Sequence, residues 1–238
     1  MLGATGTAIF IFLAHAGLSH INSPRLGKTA CEDGIWVWRP SAISNLRETD
    51  TPYIFQGLFS IAKNREIYEF QGVRPFQVQR SECDLVLTYR LEDLVPAEMV
   101  TARYRVHRKV WQKKGNRVAG LQIDFDSPSA ALNKYAKWLH DLRSTLPPDT
   151  SFSITGLPDW LVSAPKDALN SLASKTDFIA FMMYQGTSPV RNPAAYYAAL
   201  RSSNLKFKLG LLPHQDQNLA QISHLPGYIG TSIFITGR

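Results

Sequence analysis

Hydrophobic and polar positions change rhythm several times along this chain, and the sharpest change lies in residues 118–143, VAGLQIDFDSPSAALNKYAKWLHDLR. Val118, Gly120, Leu121, Ile123 and Phe125 form a near-continuous apolar run, the pattern of a strand covered on both faces. The run ends in Asp124 and Asp126, whose two-residue spacing sends both side chains to the same side of the strand. Ser127-Pro128 then supplies a helix start, a capping hydroxyl followed by proline at the first helical position. Leu132, Tyr135, Ala136, Leu139, Leu142 and Leu146 recur at steps of three and four, which predicts one buried helical face, and Pro147-Pro148 stops it. An apolar strand that ends in paired acids needs a task or a partner for them.

The same two rhythms recur on either side. Strands are expected at residues 35–38 (IWVW), 53–60 (YIFQGLFS) and 85–89 (LVLTY), then at the acid-bearing stretch, which is the fourth. Further strands are expected at 151–156 (SFSITG), 178–184 (FIAFMMY), 205–212 (LKFKLGLL) and 231–236 (TSIFIT). Helical patterns cover the basic segment around 99–111, residues 165–174 behind Pro165, and the stretch opened by Asn192-Pro193 that carries Tyr196, Tyr197 and Leu200. Residues 61–84 are irregular and read either as a helix or as an inserted hairpin. Eight strands separated mainly by helices, with no Asn-Gly type of hairpin turn between them, predict an α/β fold. The expected architecture is a parallel (β/α)8 TIM barrel forming one domain over residues 34–238. The eighth strand stands two residues from the end of the sequence, so the final helix is expected to be missing or replaced by another segment.

Composition adjusts this picture at a few points. With 238 residues, 45% of them hydrophobic, the chain can enclose one large core. No apolar run approaches the roughly 18 residues of a membrane span. Residues 7–18 (TAIFIFLAHAGL) have signal-peptide length, and Ala14-His15-Ala16 resembles a small-x-small cleavage site, although no Lys or Arg precedes Arg25. A signal peptide or N-terminal hydrophobic segment is therefore expected over residues 1–22, with export to the periplasm or the extracellular space; a buried N-terminus is the alternative. Cys31 and Cys83 fit one disulfide in an exported protein, or two buried thiols, equally well. The net charge of +7 is concentrated in residues 103–117. There Met99, Val100, Tyr104, Val106, Val110 and Trp111 share one side of a helical wheel, with Arg105, Arg108 and Lys109 on the other. A solvated helix face explains those charges better than an anion-binding patch, and charge alone supports no nucleic-acid partner.

In parallel barrels the chemistry sits at the C-terminal ends of the strands. Those ends collect Trp38 and Arg39, Arg90 and Glu92, Asp124 and Asp126, Trp160, Tyr184 and Gln185, and His214 and Gln215. Gln122 lies on the same strand as the acids. An acid pair among aromatics and amides is the composition of a carbohydrate cleft, because rings stack on sugar C–H faces while amides and Arg satisfy hydroxyls. The same acids also fit structural pairing with Arg90 or Arg39 in the barrel mouth. No cofactor or metal is expected. The six histidines include no i, i+4 pair, Gly27-Lys28-Thr29 has Asn22 where a P-loop needs glycine, and there is no Gly-x-Ser-x-Gly elbow.

GLQIDFD resembles the strand motif of the chitinase family, DG-x-D-x-D-x-E, and FMMYQG resembles that family's Met-x-Tyr-Asp stretch. VAGLQIDFDSPSAALNKYAKWLHDLRSTLPP followed by SFSITGLPDWL is similar to an uncharacterised family of bacterial chitinase-like barrel proteins, a domain of unknown function, over roughly residue 35 to the C-terminus. The resemblance implies that Asp126 stands where the family has its proton donor and Asp124 where it has the acid that orients an acetamido group. It implies that Tyr184 helps hold that group, with Gln185 in place of an acid. The first two acids of the pattern fall on Ala119 and Gln122, so two carboxylates are absent.

Two functions follow as expectations. The first is a glycoside hydrolase-like enzyme acting on a cell-envelope or extracellular polysaccharide, with Asp126 as general acid, its pKa raised by Asp124 and by burial, and with Asp124 and Tyr184 beside it. Trp38, Arg90, Gln122, Trp160, Gln185 and His214 would bind substrate. Same-face strand positions put the two aspartate Cα atoms roughly 6.5–7 Å apart, close enough for the carboxyls to couple. The second is a non-catalytic carbohydrate-binding barrel, motivated by the missing acids.

Overall fold

Alternation of apolar strands with amphipathic helices closes the chain into a barrel. The computed structural model describes residues 31–213, 215 and 222–235; the expected signal peptide at 1–22 and His214 lie outside the described residues. In chain order the strands are β1 (Gly34–Val37), β2 (Thr51–Ala62), β3 (Arg65–Phe70), β4 (Leu85–Leu91), β5 (Val118–Asp124) and β6 (Ser151–Gly156). They continue with β7 (Phe178–Met182), β8 (Tyr184–Gln185), β9 (Ser188–Pro189), β10 (Phe207–Leu211) and β11 (Tyr228–Phe234). The helices are α1 (Ala97–Lys113), α2 (Leu132–Thr145), α3 (Trp160–Ser163), α4 (Lys166–Ala173) and α5 (Ala194–Arg201).

The barrel runs β1-β2-β4-β5-β6-β7-β10-β11, and it closes because β1 pairs in parallel with both β2 and β11. This is the expected α/β TIM barrel, and the acid-bearing fourth strand of the sequence reading is β5. Residues 61–84 resolve in favour of a hairpin. β3 folds back antiparallel on β2 through Lys63-Asn64, both at positive φ (51° and 58°), as a two-residue turn of type I′ requires. No Asn-Gly signal marks it; Asn64 alone carries the left-handed preference.

Two apolar layers result. The larger lies between strands and helices, where Leu132, Tyr135, Ala136, Leu139, Leu142 and Leu146 of the α2 face are all buried as expected. On α1 the wheel needs correction: Val100, Tyr104 and Trp111 are buried, but Val106 stands 53% exposed and Val110 39%. The basic face of α1 is engaged by the neighbouring helix end. Arg108 makes a two-pronged contact with Asp149 (3.0 and 2.6 Å), and Arg105 donates to the carbonyl of Thr145. Ser127 does not cap α2 either. Its hydroxyl faces the Pro128 carbonyl at 3.3 Å, and a 3-10 turn over Ser129–Ala131 leads into the helix.

The smaller layer, Trp36, Tyr53, Val86 and Ala180, fills the barrel interior, where residues in register across neighbouring strands share one face. Trp36 donates to Gln122 Oε1 at 2.6 Å across the barrel. Gly210 makes room for that indole: a Cβ there would stand 2.8 Å from its Cη2, closer than real side chains approach.

Cys31 and Cys83 form a disulfide that ties the approach to β1 to the approach to β4 across 52 residues of sequence. Closing a loop of that length restricts the unfolded chain by about 4 kcal/mol on the chain-entropy estimate. Replacing both cysteines with serine is therefore expected to lower the unfolding free energy by about 2–4 kcal/mol, read as a fall in the urea midpoint with a steeper slope, because the freed unfolded chain exposes more surface.

Candidate active site

The register of β4 against β5 places Arg90 beside Asp124. Its guanidinium spans both acids: Nη1 donates to Asp124 Oδ2 and Nη2 to Asp126 Oδ2, each at 2.9 Å. Asp124 ends β5 and is 3% exposed, with its second oxygen accepting a hydrogen bond from Thr155 Oγ1 of β6 at 2.7 Å. Asp126 lies two residues past the strand end, and its side chain keeps 44% of its exposure. The two acids converge on one cation, as their spacing predicted. The expected burial, however, falls on Asp124 and not on Asp126. Burial pushes the Asp124 carboxyl above its ordinary value, opposed by Arg90 and the Thr155 hydrogen bond and reinforced by Asp126.

These groups form the floor of a cleft of about 460 Å³ at the C-terminal mouth of the barrel. Aromatic rings make its wall. Trp38 lies parallel on Phe55 (4.2 Å, 8°) and edge-on to Phe234 (5.5 Å, 86°), while Tyr184 lies face to face with Phe234 (5.6 Å, 5°). Burial raises the Tyr184 hydroxyl far above its ordinary value, and Asp124 and Asp126 add to the shift, so it stays protonated and able to donate. Tyr184 and Gln185 belong to a short hairpin, β8–β9, and not to β7 as the apolar run suggested; Gly186 (φ 58°) starts its two-residue turn. Thr88 Oγ1 is buried, has no partner among the described residues, and lines the same cleft.

Six of the residues read from the sequence therefore meet: Trp38, Arg90, Asp124, Asp126, Tyr184 and Gln185. Two do not. Gln122 points into the barrel one side-chain step below Asp124, where it accepts from Trp36 and donates to Ser153 Oγ at 3.2 Å, leaving it fully buried and committed. Trp160 is 0% exposed on the helix side; its Nε1 donates to the Ser127 carbonyl at 2.8 Å and its ring meets Tyr135. It fixes the backbone beside Asp126 and does not reach the cleft. Phe234, Thr88 and Thr155 are lining residues that the sequence reading missed. Strand parity carried the signal: Thr88 stands two before Arg90, and Phe234 two after the inward Ser232. Among the described residues no group of three or more His, Cys, Asp or Glu side chains is arranged to hold a metal ion, and no helix is long and apolar enough to cross a membrane.

Residues 84–192 match the family model of a domain of unknown function, DUF3142. No curated protein matches the chain. The matched span contains Arg90, Asp124, Asp126, Tyr184 and Gln185, whereas Trp38 and Phe234 of the wall lie outside it.

The Arg90 fork is testable through stability. Arg90→Met leaves Asp124 buried with only Thr155 beside it. The expected loss at pH 7 is about 2 kcal/mol, below the 3–5 kcal/mol of fully buried pairs because the guanidinium is partly solvated. A carboxyl whose folded value lies above its unfolded one weakens the fold while ionised and ceases to do so as pH falls through the folded value. The deficit of the variant should accordingly shrink between pH 7 and pH 4 in denaturant titrations. A deficit independent of pH would assign Arg90 a packing role instead.

Proposed function

We propose that this protein is a glycoside hydrolase-like barrel acting on a cell-envelope or extracellular polysaccharide. The observation that carries the reading is the union, at the C-terminal mouth of the barrel, of an aromatic wall with a floor of two carboxylates. Trp38, Phe234 and Tyr184 offer faces on which pyranose rings stack, and Arg90, Thr88, Gln185 and the Tyr184 hydroxyl offer partners to sugar hydroxyls. Asp126 is the acid reached from solvent, with one oxygen held by Arg90 and the other without a partner among the described residues. In this reading it delivers a proton to the leaving glycosidic oxygen. Asp124, held by Arg90 and Thr155, keeps negative charge beneath the sugar, where positive charge develops in the transition state. The Cys31–Cys83 disulfide supports an oxidising compartment and with it export.

A second reading, a carbohydrate-binding barrel without turnover, is favoured by one observation. A single guanidinium engages both carboxylates, so the acids already have the structural partner that their position demands. The two readings differ in which residues matter, the acids in the first and the rings in the second.

Reducing-end release from a panel of envelope and extracellular polysaccharides separates them. Wild-type protein is expected to release sugar, and Asp126→Asn to lower the rate by about 100-fold or more while polymer binding persists. Trp38→Ala should weaken binding itself. If neither wild type nor Asp126→Asn releases sugar but both bind one polymer, the binding reading replaces the enzymatic one.

A further inference from the structure

The opposite, N-terminal end of the barrel holds a second cavity, of about 440 Å³, entered between the approaches to β1, β2, β4 and β5. Lys208 of β10 lies at its inner end and is 4% exposed. Its Nζ stands 5.5 Å from the centre of the Tyr53 ring and 5.3 Å from that of Phe178. Among the described residues it has no hydrogen bond and no ion pair, although an ammonium group carries three donors. The nearest carboxylates act on it only at longer range: Asp33 is engaged by Thr231 and Arg47, and Glu32 sits at the rim. Burying an amine costs free energy unless its donors are satisfied or its charge is shed, and the two ring faces offset only part of that cost. The amine instead faces an open cavity with two aromatic walls.

The lining also constrains what can enter. Glu32, Glu82 and Asp84 give three negative charges against two positive ones from Arg117 and Lys208, and Arg117 is already paired with Asp84 at 2.5 Å. Excess negative charge along the lining disfavours anions. A small neutral ligand is favoured, and a buried amine held between two rings, without a hydrogen-bond acceptor among the described residues, is a nucleophile toward carbonyl carbon.

We propose that the N-terminal cavity is a binding site for small neutral aldehydes or ketones, with Lys208 forming a reversible imine with them. The Nζ lone pair adds to the carbonyl carbon and the C–N bond forms. The carbonyl oxygen then leaves as water, carrying both protons of the neutral amine, so no oxidant or reductant is needed. The groups that set the charge of Lys208 are Glu32 and Asp33 before β1, together with the desolvating rings of Tyr53 on β2 and Phe178 on β7; Glu82, Asp84 and Arg117 line the rest of the cavity. Burial lowers the amine to about 8 while Asp33 and Glu32 oppose the shift, which leaves a reactive neutral fraction near pH 7.5.

The test uses the full chain, glycolaldehyde as the neutral probe and cyanoborohydride to trap the imine, with peptide mapping by mass spectrometry. Lys208 is expected to be the first lysine labelled at pH 7.5, at least tenfold faster than exposed lysines. Its rate should rise to half its maximum near pH 8, against about 10.4 for an ordinary lysine. The anionic probe glyoxylate should label it more slowly than glycolaldehyde does. Lys208→Met should remove the label and leave the melting temperature unchanged or raised, because an unpaired buried charge has gone. Labelling of surface lysines with Lys208 protected, or equal rates at all lysines, overturns the proposal, and both are read on wild-type protein. Neither result bears on the sugar cleft at the other end of the barrel.

Discussion

Closure of the barrel depends on four residues. Gly34–Val37 pair in parallel with β2, and Gly34, Ile35 and Trp36 pair with β11 on the other side, and every other feature of the interior presupposes that joint. The segment just before it is stitched to both neighbours. The Asp33 carbonyl accepts from the Thr51 amide at 2.9 Å, and the Asp33 carboxylate accepts from the Thr231 amide and hydroxyl, each at 2.8 Å. A short strand carries few hydrogen bonds, so side-chain ties of this kind and the nearby disulfide offset its brevity. From that strand come Trp36, which fills the barrel, and, one step beyond it, Trp38, which walls the cleft. Loss of the joint would open both.

The interior is unusual in having polar residues in depth, and it tolerates them through satisfaction. Gln122 is bonded at both ends of its amide, Asp124 at both oxygens, and Arg90 through two of its nitrogens. Lys208 is the contrast, a buried cation with ring faces for neighbours. Polar groups with full partnerships hold a scaffold. At one mouth Thr88 Oγ1 has no hydrogen-bond partner among the described residues, and at the other the Lys208 amine meets ring faces.

Much of the fold was legible because a parallel barrel writes itself as buried apolar strands between amphipathic helices. The α2 face was read residue for residue, and the eight barrel strands were found. The β2–β3 hairpin is ambiguous in the sequence because Lys63-Asn64 is a weak turn signal and Tyr68 packs like a core residue of either structure. The acid pair was legible from spacing, and its partner Arg90 from the neighbouring strand end. Trp160 and Gln122 fall outside the cleft for different reasons. Nothing in the chain tells which side of the barrel wall a tryptophan in a loop will take, and Gln122 shares the parity of Asp124 but lies deeper. Phe234 could not be paired with Tyr184 without knowing that the last strand returns beside the first.

A closed barrel has no edge, yet this one acquires one. The overhang of β2 recruits β3, whose far side pairs with no further strand among the described residues. An unpaired row of amides and carbonyls is a template for another chain. Here the row carries Arg65, Glu66 and Glu69, all exposed, while Tyr68 turns inward against Phe59 and donates to the Gln56 carbonyl. Any strand approaching from solvent would have to desolvate these charges before gaining a single ladder bond. The hairpin thus extends the sheet along an edge guarded mainly by charge, with Phe70 as its exposed apolar exception.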